Sequence, residues 1–280
     1  MRPNHTKRLM QKGKPAVGTL CASASPLMAE AVGLAGFDFV LVDLQHGENG
    51  LGTLPSILRA VATTPATPLV RVPAGSPAQI QQALDLGAYG IVAPLVHSAA
   101  EAAAVVRAVR YPPAGERSWG PVYGSLYRGL DYYSTSGDEL LTLVGIQTAD
   151  AAANLGAILG VAGVDGCFVD PVDLCLSLGF PPQDTLPAGA EVAVAEILAA
   201  TCAAGKIAGI HVLNAVEAKR RAAEGFRLVA LSSDIRMVRS TAAAVWDALD
   251  GRAAGPPRES AADPSGISAD WQRRETRVRG

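Results

Sequence analysis

The sequence has no apolar run approaching the roughly 20 residues that a membrane span requires. Its opening segment, Met1–Lys14, is polar and basic and carries no apolar stretch of a secretory leader, so the chain is expected to stay in the cytoplasm. The four cysteines, Cys21, Cys167, Cys175 and Cys202, make neither a CxxC pair nor a disulfide framework and are expected to be reduced core thiols. The net charge is only -2, with no basic stripe and no interleaving of aromatic and basic residues, which argues against a nucleic-acid partner as the missing apolar span argues against a membrane. A GxGxxG turn is also missing after the first strand pattern, which speaks against a dinucleotide fold.

What is present is apolar and periodic. With 49% hydrophobic residues in 280, the chain can bury one large core. Short apolar runs predict strands at Ala16–Ala22, Phe39–Leu44, Pro68–Val72, Gly90–Val96, Leu141–Gln147, Gly166–Val169, Ile207–Val212 and Leu228–Leu231. Near-continuous apolar strands are those of a parallel sheet covered on both faces. Between them, helical patterns run over Pro26–Ala35, Leu51–Ala62, Pro77–Leu86, Ala99–Arg110, Asp150–Leu159, Ala190–Ala204, Ala215–Ala223 and Asp234–Leu249. Ser76 before Pro77 and Ser98 before Glu101 read as starts, and Gly205 and Gly225 as stops. Eight strand-then-helix units predict a (β/α)8 TIM barrel over residues 1–250, with a doubly wound open sheet as the alternative. The longest insertion, Tyr111–Glu139, is rich in tyrosine, glycine and proline and reads as a packed loop. The stretch 251–280, rich in proline, glycine and charge, is expected to be a disordered tail.

Barrel enzymes carry their chemistry at the carboxyl ends of the strands. The polar residues there are Asp43, Gln45 and His46 after the second strand, Arg71 in the third, and His97 after the fourth. Gln147, then Asp170 and Asp173, then His211, and finally Asp234 follow on the remaining strands. Three of the four histidines fall at these ends. A buried Arg71 needs acceptors whether it binds an oxyanion or serves structure. His46 is a general base if Asp43 orients it, and otherwise a loop residue. Asp173 and Asp234 have the plainer reading of helix caps. His97 and His211 are open between pocket lining and packing, and Cys175 has no basic neighbour to make it a nucleophile.

Six ordered segments resemble the HpcH/HpaI family of class II pyruvate aldolases: Gly36–Gly47, Pro68–Pro73, Leu84–Ala88, Arg110–Ser118, Gly163–Gly166 and Pro171–Leu174. The resemblance implies a barrel of the phosphoenolpyruvate/pyruvate type that cleaves or forms a carbon–carbon bond beside a 2-oxo acid, with an aldehyde as second partner. It implies a divalent cation (magnesium, manganese or cobalt) acting as a Lewis acid on a pyruvate enolate. Carried over by position, His46 is the base, working through a metal-bound water, Asp85 pairs with His46, and Asp43 supports the water shell. Arg71 binds the keto oxygen, Asp173 ligates the metal, and backbone N–H groups near Val172 and Asp173 hold the substrate carboxylate. His211 is expected at the substrate site from its place at a strand end, not from the resemblance. The resemblance also implies a homo-oligomer, a trimer or hexamer.

Two positions depart from the family's pattern. Gln147 stands where a glutamate ligand is usual, and Asp170 where glycine is usual. Gln147 and Asp170 are therefore expected to share the metal with Asp173, the new carboxylate restoring the charge lost at the amide. The same departures leave open an oxaloacetate-type decarboxylase, and a barrel that has lost its chemistry and serves as a binding partner.

Overall fold

The computed structural model describes residues 3–128, 131–183 and 185–249. Eight parallel strands form the barrel: β1 (Ala16–Cys21), β2 (Phe39–Asp43), β3 (Thr67–Arg71), β4 (Gly90–Ala93), β5 (Leu141–Ile146), β6 (Gly166–Val169), β7 (Ile207–Val212) and β8 (Leu228–Ser233). They pair in chain order, and β8 returns to β1 with Ala16 opposite Leu228, so the sheet is closed and the open-sheet alternative is excluded. The helices are α1 (His5–Gln11), α2 (Pro26–Leu34), α3 (Leu54–Ala62), α4 (Pro77–Asp85), α5 (Ala99–Val109), α6 (Val122–Arg128) and α7 (Tyr132–Glu139). They continue with α8 (Ala149–Ala153), α9 (Leu155–Leu159), α10 (Pro171–Ser177), α11 (Ala188–Ala203), α12 (Ala215–Glu224) and α13 (Asp234–Asp247). By its contacts the chain divides into Met1–Val238, which holds the barrel, and Arg239–Gly280, whose described part is the end of α13 and the two residues after it. The expected tail, 251–280, lies outside the described residues. Among the described residues no helix is long and apolar enough to cross a membrane.

Strand periodicity positions the site. Alternate side chains of a strand point to opposite faces, so the barrel interior receives one set and the helices the other. Phe39, Leu41, Leu69, Val92, Leu141, Leu143, Phe168, Leu228 and Ala230 fill the interior, while Val40, Val42, Val70, Val144 and Val169 pack outward under the helices. One step further up the inward series the apolar residues give way to Asp43, Arg71, Asp170 and His211. The charged layer thus rests on an apolar floor. Gly18 is needed beneath it, because a Cβ there would overlap the ring and carbonyl of Phe39.

The two ends of the barrel are finished differently. α1 stoppers the amino end: Met10 joins the interior cluster, and the Lys7 ammonium donates to the Leu140 carbonyl at 3.0 Å and pairs with Asp165 at 3.3 Å. At the carboxyl end, Asp234 accepts from the backbone N–H groups of Ala22 (2.8 Å) and Ser23 (3.1 Å) as well as from Ile235 N–H and so ties β8 to β1, while the cap expected of it falls to Ser233, whose Oγ accepts from Arg236 N–H at 3.3 Å.

Ser98 caps α5 through Glu101 N–H as its pattern predicts, and Gly205 and Gly225 take positive φ at the ends of α11 and α12. Ser76 makes no side-chain cap bond. β4 stops at Ala93 rather than Val96 because Pro94 has no N–H to give the ladder. The helix expected over Asp150–Leu159 breaks at Asn154 into α8 and α9. Four short helices, α1, α6, α7 and α10, were not legible as helices, each being eight residues or fewer. The insertion packs as an aromatic cluster in which Tyr111 meets Trp119 and Tyr133, and Arg117 lies over Tyr111 at 4.6 Å. All four cysteines are free, but Cys202 is exposed and so is not the core thiol expected.

Candidate active site

Asp43 and Arg71 face each other in register on neighbouring strands, which places a carboxylate beside a guanidinium inside the barrel mouth. The pair is bidentate: Arg71 Nε donates to Asp43 Oδ1 at 2.9 Å and Nη2 to Oδ2 at 2.6 Å. From across the barrel Asp170 accepts from Arg71 Nη1 at 3.1 Å. All three residues are buried. Burial pulls the Arg71 pKa down, but the hydrogen bonds and charge of Asp43, and then the charge of Asp170, outweigh it and hold the guanidinium above its ordinary value. Asp43 Oδ1 also accepts from the backbone N–H groups of Gln45 (3.0 Å) and His46 (3.2 Å), so the same carboxylate sets the turn that carries His46. His46 itself is exposed at the rim.

Gln147 is held at both ends. Its Oε1 accepts from Leu95 N–H at 2.8 Å, and its Nε2 donates to Asp173 Oδ2 at 2.5 Å. A backbone N–H only donates, so the amide oxygen must face Leu95 and the NH2 must face Asp173. Leu95 presents that N–H from a left-handed conformation (φ 54°) just after Pro94, a backbone strain of the kind that gathers at functional sites. Burial first, and then the charge of Asp170, raise the Asp173 pKa; the Gln147 hydrogen bond and the charges of His46 and Arg71 oppose this.

These residues do not fit a divalent cation as arranged. A hard cation needs oxygens converging on one point. Gln147 shows Asp173 a donor instead, and Asp170 turns to Arg71 rather than to a point shared with Asp173. Among the described residues no group of three or more His, Cys, Asp or Glu side chains is disposed to hold a metal. The expectation that Gln147 and Asp170 share a cation with Asp173 is therefore not met by this geometry, and the physical reason is the amide's fixed orientation.

Asp85 does not meet His46 within the chain. It closes α4, which runs back from the mouth to the amino end of the barrel, and there it takes Arg117 Nη2 at 2.6 Å. Val172 and Asp173 lie in the first turn of α10, directly after β6. His97 turns toward α5, its backbone N–H donating to Glu101 at 2.6 Å, and plays a capping part. His211 points inward from β7. Its Nε2 is buried and has no hydrogen-bond partner. Ser232, on the neighbouring strand, is the second non-glycine residue at positive φ. Burial lowers the His211 pKa, and so does Arg71, against the charges of Asp170 and Asp43 and the Ser232 bond. Ser232 stands among the polar residues at the strand ends, but its left-handed backbone and that of Leu95 were not legible, since nothing in a leucine or a serine announces one.

The sequence profile of the HpcH/HpaI aldolase/citrate lyase family matches residues 17–239 of this chain. The chain belongs to that family. A hydroxypyruvate/pyruvate aldolase of Rhizorhabdus wittichii is 36% identical over 240 residues, covering 85% of this chain and 96% of the relative. A 4-hydroxy-2-oxo-heptane-1,7-dioate aldolase of Salmonella arizonae is 37% identical over 238 residues, covering 84% and 90%. A crystal structure of a family protein from Burkholderia cenocepacia superposes with a TM-score of 0.80 at 31% identity, covering 87% of this chain and 98% of that one. The barrel expected from the eight strand–helix units and the family expected from the six segments agree with these matches.

Proposed function

We propose that this chain is a carbon–carbon lyase of aldolase type, which makes or breaks the bond beside a 2-oxo acid and releases or takes up an aldehyde. The carrying observation is Arg71, a guanidinium fixed in the inner layer of the barrel mouth by two carboxylates. Three of its five N–H groups are committed to Asp43 and Asp170, leaving two for a substrate oxyanion. Charge that develops on the keto oxygen as an enolate forms is what a preorganised donor of this kind stabilises. First-turn N–H groups of Val172 and Asp173 are assigned to the substrate carboxylate, and exposed His46 to proton exchange at the carbon of the enolate. Gln147 offers Asp173 its NH2, so the charge of the enolate falls to Arg71. The family's relatives named for aldol cleavage support the reaction class.

The test has two parts. Pyruvate in heavy water is expected to exchange its methyl protons in the presence of the protein, and 4-hydroxy-2-oxo-heptane-1,7-dioate is expected to release pyruvate. His46→Ala should fold normally, since the side chain is exposed, and slow the exchange by about 10²–10⁴-fold, the usual worth of a general base. Exchange at the wild-type rate would remove His46 from the mechanism.

The assembly is proposed to be a homo-oligomer, a trimer or hexamer. Leu27 and Leu34 on α2, Leu126 on α6 and Val216 on α12 are 63–80% exposed, more apolar surface than a monomer gains from showing. Sedimentation at micromolar concentration should give a mass several times the 28.8 kDa of one chain, and a single species of 28.8 kDa would reject the assembly. The four unpaired cysteines suit a reducing compartment.

A further inference from the structure

Asp43 and Asp170 share one guanidinium, but they hold it differently. Asp43 comes from the neighbouring strand and takes the Nε and Nη2 edge of Arg71. Nη1 is the nitrogen that Asp43 does not touch, and Asp170 takes it at 3.1 Å from across the mouth. Asp170 is the N-cap residue of α10 and has the extended backbone of one, yet its side chain makes no cap bond. An aspartate at that position ordinarily accepts from an N–H of the first turn. Here the carboxylate has left the cap for Arg71 and is buried beside it. The inner layer therefore carries two carboxylates to one guanidinium. Next to it, Asp173 meets only the neutral amide of Gln147. Within this layer negative charge exceeds positive, at the place where an anionic substrate has to bind.

Building on the reading of Arg71 as the oxyanion site of a lyase, we propose that Asp170 is a specificity-determining residue, which occupies Nη1 in the empty mouth and competes with the ligand for the guanidinium. A ligand that brings one negative charge to Arg71 shares it with Asp170. A ligand that concentrates two charges on adjacent carbons meets about twice the repulsion, because Coulomb energy scales with the ligand's charge. Salt screens this repulsion little, since Asp43 and Asp170 are both buried. The mouth is thereby selective for 2-oxo acids with a single carboxylate at the reacting end, and against compact dianions. The second carboxylate of a heptanedioate stands at the far end of its chain and escapes the repulsion.

Calorimetric titration of the purified protein with oxalate, a compact planar dianion, and with pyruvate tests the role. Asp170→Gly is expected to tighten oxalate by about 10- to 100-fold, the worth of one hydrogen bond to a charged group, and pyruvate by less. Asp170→Asn keeps the shape and removes the charge, so it should give most of the same gain. Both variants should fold, because Asp43 still pairs with Arg71 and no cap bond is lost; thermal melting checks this. Oxalate affinity that stays level or falls in Asp170→Asn overturns the proposal and makes Asp170 a support for Arg71 instead of its competitor. Equal gains for oxalate and pyruvate overturn the selectivity by charge. Oxalate binding by none of the three proteins removes Arg71 as an oxyanion site, and the proposal falls with it. Affinity is read without turnover, so the two readings fail separately. A wild type that leaves the methyl protons of pyruvate unexchanged fails the lyase reading, while the ratio of oxalate to pyruvate affinity across the three proteins still decides the role of Asp170.

Discussion

Arg71→Ala should destabilise the barrel by about 3–5 kcal/mol, the cost of leaving a buried charge without its partner. The variant strands Asp43 and Asp170 in the buried mouth, above a floor made of Leu41, Leu69 and Phe168. Urea unfolding at pH 7 measures the loss. The pH dependence carries a sign. In the wild type the guanidinium pKa is raised in the fold, so its contribution is complete below the ordinary arginine range and flat across neutral pH. In the variant the stranded carboxylates bind protons more tightly folded than unfolded, so its stability should recover as the pH falls toward 4. Arg71→Lys should recover only part of the loss, because a single ammonium cannot span the fork of Asp43 and reach Asp170 as well. A loss below about 1 kcal/mol, the range of a solvated pair, would mean that water reaches these carboxylates.

Much of this layer was readable from the chain, and the parts that were not share a physical cause. Period-two alternation puts Asp43 two residues beyond Leu41 and Arg71 two beyond Leu69. A buried arginine needs acceptors, and Asp43 provides them from the adjacent register position. Asp170 meeting Arg71 joins β6 to β3 across the mouth. That contact depends on closure of the whole barrel, to which no local pattern refers. The donor face that Gln147 shows Asp173 depends on Leu95 adopting a left-handed turn, which nothing in the sequence around Pro94 marks. Asp85 teaches the opposite lesson. A residue at the end of a helix that follows a parallel strand must lie at the amino end of the barrel, so its distance from His46 within one chain was available from strand–helix order alone. His211 was visible as a polar residue at a strand end, but the lack of a partner for its buried Nε2 was not, since that depends on every element packed around the ring.

Gln147→Glu is expected to create a divalent-cation site that the wild type lacks. The change swaps the NH2 that now meets Asp173 Oδ2 at 2.5 Å for a carboxylate oxygen, while the other oxygen can keep accepting from Leu95 N–H. Two carboxylates in contact cannot both stay ionised without a counter-charge, so they share a proton or bind a cation. Calorimetric titration with manganese should therefore show no binding to the wild type at millimolar concentration. Gln147→Glu should bind at least about tenfold more tightly, a difference of roughly 1.4 kcal/mol or more. At manganese about 100-fold above its dissociation constant, the variant should gain roughly 2.7 kcal/mol of stability, read as a rise in melting temperature absent from the wild type. Adding Asp173→Asn should abolish the gain. Adding Asp170→Gly should leave it nearly intact, because the Asp170 carboxylate is committed to Arg71. The converse results are equally plain. If Asp170→Gly removes the affinity, Asp170 leaves Arg71 to join the ion. If the wild type itself takes manganese at micromolar concentration, the amide must turn its oxygen inward and surrender the Leu95 bond, and the cation belongs in the mechanism after all.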